Sequence, residues 1–175
     1  MINKVPYNEG KLIWITGLSG SGKTTIGKNL YDYIKQNNND YIHLDGDDIR
    51  IMLGDLGSFS VEGRKKTAET YSRMCKYLTG CGINVIISTI SLYHSVHEYN
   101  RKNNKKYFEI LLEVDKKVLI TRNKHGLYNP GVKNVMSIDQ VPEFPNNPDL
   151  KLNNNLKSNL KQNVTKILDL IGYIR

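Results

Sequence analysis

The sequence predicts a three-layer α/β fold, with helices on both sides of a central parallel sheet. Three observations carry this. Short apolar runs alternate with segments of helical period along the chain, the pattern of repeated βαβ units. The run Val85-Ile86-Ile87 shows no polar alternation, as suits a strand covered on both faces. Gly17-Leu18-Ser19-Gly20-Ser21-Gly22-Lys23-Thr24 spells G-x-x-x-x-G-K-[ST] between an apolar run and a helix-period segment, which is a phosphate-binding P-loop in its working context.

Each element follows in order. Residues 11–16 form the first strand, and 23–36 a helix that stops at Asn37-Asn38-Asn39-Asp40. Residues 41–44 make a short second strand. Residues 62–78 make a long helix with Ala68, Tyr71, Met74, Cys75 and Leu78 on one face, by steps of three and four. Gly80-Cys81-Gly82 closes it. A strand over 83–89, a helix over 94–103, a strand over 107–114 and a helix from 116–122 continue the alternation. Residues 123–155 are rich in Gly, Pro and Asn and read as a long functional loop, with a short strand near 150–152. The last helix, 156–171, carries Leu156, Leu160, Val164, Ile167, Leu168 and Ile171 on one stripe.

A length of 175 residues suits one domain, 1–175, with no linker and no repeat. No apolar stretch approaches the roughly 20 residues of a membrane span. Residues Met1 to Gly10 hold Pro6 and Glu9 and no long apolar segment, so they do not read as a secretory signal. Cys75 and Cys81 lack C-x-x-C spacing and read as free thiols of a reducing compartment, so a cytoplasmic location is expected. The net charge is +8. The lysines are scattered without interleaved aromatics, so a cleft for anionic small substrates is expected rather than a nucleic-acid surface. A homodimer is compatible with this reading.

In a P-loop the backbone N–H groups of the glycine-rich turn surround phosphates at a helix N-terminus. Lys23 adds a point charge near the β- and γ-phosphates, and the Thr24 hydroxyl is suited to ligate Mg²⁺. An ordinary Gly/Ser turn explains neither three glycines nor the lysine at the helix start. A second cluster, Leu44-Asp45-Gly46-Asp47-Asp48-Ile49-Arg50, follows the second strand, where ligands of open α/β sheets gather. Asp45 and Asp47 flank a glycine and can face one site from a tight turn. One would hold the metal or its water, and the other would accept a proton from an attacking hydroxyl. A helix cap at Asp47 or Asp48 is the structural alternative. Guanine-reading Asn-Lys-x-Asp is absent, since Asn123-Lys124-His125-Gly126 lacks the final acid. The strand 83–89 ends in Ser88-Thr89 rather than Asp-Glu. These features favour a P-loop NTPase-type kinase acting on a bound acceptor. The alternative from another class is an ATP-binding regulatory or nucleic-acid-binding module.

Beyond these motifs the chain resembles the adenylylsulfate (APS) kinases, from about residue 11 to the terminal helix. Trp14-Ile15-Thr16-Gly17-Leu18-Ser19-Gly20-Ser21-Gly22-Lys23-Thr24-Thr25 is similar to that family's P-loop, and Leu44 to Arg50 to its L-D-G-D-N-x-R. Phe59-Ser60 and Arg64 fall at F-S-x-x-D-R, Ile90-Ser91 in F-I-S-P, Gly126-Leu127-Tyr128 in K-G-L-Y, and Ile138-Asp139 at the end of N-F-T-G-I-D. The resemblance implies ATP as donor, Mg²⁺ held at Thr24 and Asp45, and a nucleotide 3′-hydroxyl as acceptor. It places Gly17, Ser19 to Thr25 and Arg122 around ATP. Asp47 would orient or deprotonate the hydroxyl, with Asp45 nearer the metal, although the two roles are exchangeable at this level. Arg50 and Arg64 would hold the acceptor's oxyanions, unless Arg64 is a solvated helix face. Phe59, Ile90, Ser91, His125, Gly126 and Leu127 would complete the acceptor site. A phosphoserine at Ser91 is conceivable, but direct transfer needs fewer steps. Residues 122–148 would form a lid over both substrates.

The departures from the family pattern fall on the acceptor side. The family's stacking phenylalanine stands at Val135, F-I-S-P reads Thr89-Ile90-Ser91-Leu92, D-R-x-x-N ends in Thr67, and His125 replaces a lysine. Loss of an aromatic platform removes roughly 1–3 kcal/mol of base stacking. An acceptor other than adenylyl sulfate is therefore expected, such as a pyrimidine nucleotide like the cytidine diphosphoramidate used by a divergent branch. Phe59 still supplies one stacking face, and retained use of adenylyl sulfate is the alternative.

Overall fold

A computed structural model describes residues 8–54 and 59–173. Its sheet has the order β2-β3-β1-β4-β5, with every pairing parallel. The strands are β1 (Leu12–Thr16), β2 (Tyr41–Asp45), β3 (Asn84–Ser88), β4 (Tyr107–Glu113) and β5 (Leu150–Asn153). The helices are α1 (Lys23–Lys35), α2 (Gly46–Met52), α3 (Val61–Gly80), α4 (His94–Asn103), α5 (Lys116–Arg122) and α6 (Leu160–Leu170).

β1 lies at the centre, with Ile13 in register with Ile86 on one side and Phe108 on the other. All five of its residues are buried, because alternate side chains enter different cores. Ile13 and Ile15 pack with Ile26, Leu30 and Ile34 of α1 and with Val164, Ile167 and Leu168 of α6. Leu12 and Trp14 pack on the opposite face with Ala68, Tyr71 and Cys75 of α3 and Val96 of α4. The result is the three-layer arrangement that the sequence predicts. α1 lies close to the sheet at Gly27, where an added Cβ would meet Ser88 Oγ and the His43 ring.

The element boundaries agree with the sequence to within a few residues, with two differences. Residues Gly46–Met52 form a helix rather than only a tight turn, and its N-cap is Asp45, not Asp47 or Asp48: the Asp45 carboxylate accepts from the Asp47 N–H at 2.9 Å. The terminal helix begins at Leu160. Leu156 is extended and Lys157–Asn159 form a 3₁₀ turn, so Leu156 leaves the buried stripe and is 62% exposed. Among the described residues, no helix is long and apolar enough to cross a membrane. Cys75 and Cys81 are both free, and burial pushes the Cys75 thiol up. The reading of the N-terminus as no secretory signal falls, for residues 1–7, outside the described residues.

Candidate active site

A cleft of about 970 Å³ opens at the carboxyl edge of the sheet, where parallel strands deliver their loops. Every predicted site residue lines it except Gly17, Ser21 and Gly126. The Ser21 side chain is fully buried beneath the turn, and its carbonyl accepts from Asn154 Nδ2.

The P-loop leaves β1 through Gly17 (φ 146°) and enters α1 through Gly22, which caps the helix at φ 95° and ψ 17°. A Cβ at Gly22 would lie 2.5 Å from the Asn154 Nδ2. Gly22→Ala is therefore expected to raise the KM for ATP by about tenfold or more. Left-handed strain of roughly 1–2 kcal/mol adds to displacement of a buried amide, and steady-state kinetics at saturating acceptor measure it.

Lys23 is buried at the floor, and its ammonium donates to the Leu18 carbonyl at 2.8 Å. Burial pushes its pKa down to about 7, Lys124 adds to the fall, and Asp47 and Asp45 oppose it. Arg122 lines the cleft, but its guanidinium is committed to backbone: Nη1 donates to Gly20 O at 3.0 Å, and Nη2 to Asn154 O and Asn155 O at 2.8 and 3.0 Å. These bonds tie the phosphate loop to the segment after β5.

At the mouth of the P-loop the Thr24 hydroxyl donates to Asp45 Oδ2 at 2.6 Å, while Asp45 Oδ1 caps α2. A hydroxyl and a carboxylate meeting at an exposed edge beside a phosphate loop form a hard, oxygen-only donor pair that fits Mg²⁺. Asp47 stands one step further along the cleft. Its carboxylate is 70% exposed and lies 3.1 Å from Lys124 Nζ. The Tyr71 hydroxyl donates to Gly46 O at 2.7 Å and fixes the peptide between the two aspartates.

Beside Arg50 and Arg64 stands Phe59, with the two guanidiniums over its ring at 4.6 and 4.9 Å from the centroid. Arg64 is not a solvated helix face. It donates to Phe59 O at 3.1 Å and to Asn134 O at 2.8 Å, and burial pulls its pKa down. The Asp139 carboxylate accepts from Asn134 N–H at 2.5 Å and Val135 N–H at 2.6 Å, and these bonds hold its pKa low. Gln140 Nε2 donates to Phe59 O at 2.8 Å, so this loop is locked onto the aromatic. Ser91 has a left-handed φ of 24°, and its Oγ lies 2.8 Å from Thr89 Oγ1 in the cleft wall.

Three features lie beyond what the motifs predict. Val135, at the family's stacking position, is 2% exposed and does not line the cleft; its neighbours Asn134 and Met136 do. The lost-platform argument for the acceptor therefore does not rest on that side chain. Lys124, beside the position where the related pattern has lysine, reaches the cleft, bracketed by left-handed Asn123 (φ 34°) and His125 (φ 58°). The Tyr128 hydroxyl donates to Ser19 O at 3.2 Å, so the segment after α5 touches the phosphate loop directly.

A phosphate loop, a hydroxyl–carboxylate pair and an arginine-flanked aromatic in one cleft define a P-loop kinase. The chain belongs to the adenylylsulphate kinase family, whose model matches residues 9–153. It is 39% identical over 165 residues to the cytidine diphosphoramidate kinase of Campylobacter jejuni, covering 92% of this chain and 96% of the relative. It is 33% identical over 173 residues to the adenylyl-sulfate kinase of Gloeothece citriformis, covering 95% and 98%. Its fold superposes on the Mycobacterium tuberculosis APS kinase, solved in complex with AMPPNP and APS. The TM-score is 0.83 at 26% identity, covering 94% and 98% of the two chains.

Proposed function

We propose that this chain is one kinase domain that transfers the γ-phosphate of ATP to the ribose 3′-hydroxyl of a nucleotide acceptor with a pyrimidine base, of the cytidine diphosphoramidate type. The observation that supports the acceptor class is the 39% identity, nearly end to end, to a kinase named for that substrate. Thr67 and Met136 line the acceptor half of the cleft, where the resembling family pattern carries asparagine and threonine. Phe59 holds both guanidiniums over its ring, and the two arginines offer forks for a diphosphate-like group.

In this reading Lys23 and the P-loop amides hold the triphosphate, and Arg50 and Arg64 anchor the acceptor. Asp47 receives or orients the 3′-hydroxyl in line with the γ-phosphorus. Thr24 and Asp45 would hold Mg²⁺, which when bound neutralises charge on the phosphate oxygens. Residues 122–148 act as the lid, and the kinase works in the cytoplasm.

A second reading, adenylyl sulfate as acceptor, is favoured by the family match and by relatives such as that of Gloeothece citriformis. The first reading places the protein in capsule biosynthesis, the second in sulfate assimilation. A turnover screen decides between them. ADP release is followed with ATP and adenylyl sulfate, CDP-linked or UDP-linked nucleotides. Preference for a CDP-linked acceptor by about tenfold or more in kcat/KM is expected. Exclusive use of adenylyl sulfate overturns the pyrimidine assignment, and ATP binding without any acceptor-stimulated ADP release restores the binding-module alternative.

A further inference from the structure

Asn153-Asn154-Asn155 has no part in the reading above, yet these side chains are engaged in defined bonds. Asn153 Oδ1 accepts from Asn155 N–H at 3.1 Å. Asn155 Oδ1 accepts from Asp115 N–H at 2.8 Å, and its Nδ2 donates to Asp115 Oδ2 at 2.9 Å. Asn154 is 8% exposed. Its Nδ2 donates to Ser21 O at 2.7 Å, and its Oδ1 accepts from Asn163 Nδ2 at 3.2 Å. Asn163, 2% exposed on α6, also donates to Asn153 O at 3.1 Å.

Ser21 O is the last of four consecutive P-loop carbonyls that each accept from a different side chain. Leu18 O accepts from Lys23, Ser19 O from Tyr128, Gly20 O from Arg122 and Ser21 O from Asn154. The Ser21 N–H itself closes onto Leu18 O at 3.1 Å within the turn. The next amide, that of Gly22, belongs to the peptide whose carbonyl Asn154 holds. In a planar trans peptide the C=O and the N–H point in opposite directions. Pinning Ser21 O outward against Asn154 therefore aims the Gly22 N–H back across the turn, toward the anion. Gly22 itself lines the cleft, and Asn154 packs so close beneath it that a Cβ there would not fit.

We infer that Asn154 is a positioning residue for the nucleotide: from the end of an edge strand, its amide fixes the Ser21–Gly22 peptide in its phosphate-binding orientation. The inference rests on the kinase reading above for the identity of the ligand. An aspartate would fit the space but could not donate, and its charge would oppose both Ser21 O and the triphosphate. The Asn163 bond fixes which end of the Asn154 amide faces the loop, since Nδ2 of Asn163 can only donate.

The test is titration calorimetry of ADP and ATP with wild type, Asn154→Leu and Asn154→Asp, alongside melting temperature and acceptor KM at saturating ATP. Asn154→Leu keeps the branched outline of the side chain and removes the donor. Its Kd for both nucleotides is expected to rise about tenfold, the loss of a buried hydrogen bond that organises a site. Its acceptor KM should stay within about twofold, a split that general loosening of the fold would not produce. Asn154→Asp, which retains an acceptor for Asn163, is expected to weaken nucleotide binding at least as much and carries the test if the leucine variant does not fold. Wild-type nucleotide affinity in either folded variant overturns the inference and leaves the kinase reading intact. Weakened nucleotide binding in the variants, with no acceptor turned over by wild type, sustains the inference and removes the kinase reading. Failure of wild type to bind either nucleotide removes both.

Discussion

Lys23→Met is expected to lower phosphoryl transfer by on the order of 10³-fold while leaving the folded protein intact. The ammonium sits at the floor of the cleft, held by the Leu18 carbonyl, with burial pushing its pKa down to about 7 from the ordinary 10.5. Before nucleotide arrives, the positive form is therefore disfavoured. A bound triphosphate reverses this by placing negative charge beside the amine. At pH 8, ATP binding should take up close to one proton, because the amine is mostly neutral beforehand and charged afterwards. At pH 6 the lysine is already protonated and contributes little uptake. Calorimetry in two buffers of different ionisation enthalpy measures this directly, and Lys23→Met should lose the uptake at pH 8.

The same displacement has a consequence for stability. Between pH 7 and 10.5 the unfolded chain holds a proton that native Lys23 has released, so the unfolded state binds more protons across that window. Stability of the nucleotide-free protein should rise with pH through it, and the cost of burying the charge is present in full below pH 7. Lys23→Met removes that contribution, so its melting temperature should exceed that of wild type at pH 6 and approach it near pH 10. Transfer within tenfold of wild type by the methionine variant would remove Lys23 from the phosphate site.

What the sequence reveals and what it conceals divide along a physical line. The strands and most helices are legible because each is a local pattern. Val85-Ile86-Ile87 lacks alternation, α3 places Ala68, Tyr71 and Cys75 on one face, and the P-loop needs no distant residue to be recognised. The short helix α2 is hidden because Gly46-Asp47-Asp48 are turn residues by composition, and only the Asp45 cap bond shows that they begin a helix. Leu156 keeps the helical period but lies in an extended residue before a 3₁₀ turn, so period alone misplaces it. Val135 occupies the motif position, but the Asp139 carboxylate grips its N–H and the side chain is buried. Motif alignment transfers position, not direction. Lys124 on Asp47 and Asn154 on Ser21 O join residues 77 and 133 apart in the chain, which no local window reports.

Asp47→Asn is expected to lower kcat by about 10²- to 10⁴-fold, the range for loss of a proton-accepting group, while changing the Kd for ATP by less than about threefold. Asp45 and Asp47 are separated by their neighbours. Asp45 is engaged by Thr24 and by the cap of α2, so its oxygens face the phosphate mouth. Asp47 is exposed toward the cleft and, among the side-chain bonds described, meets the Lys124 ammonium. A rival account is that Asp47 merely latches the lid through Lys124. The two accounts separate in a double-mutant cycle. If the carboxylate serves the hydroxyl, Lys124→Met should cost only about tenfold, since an exposed ion pair contributes little energy. Asp47→Asn should then cost far more, and Lys124→Met should add little in the Asp47→Asn background because its partner is already neutral. If the carboxylate serves the lid alone, the two single variants should lose equal activity. Equal losses in the two single variants would assign the hydroxyl to another group.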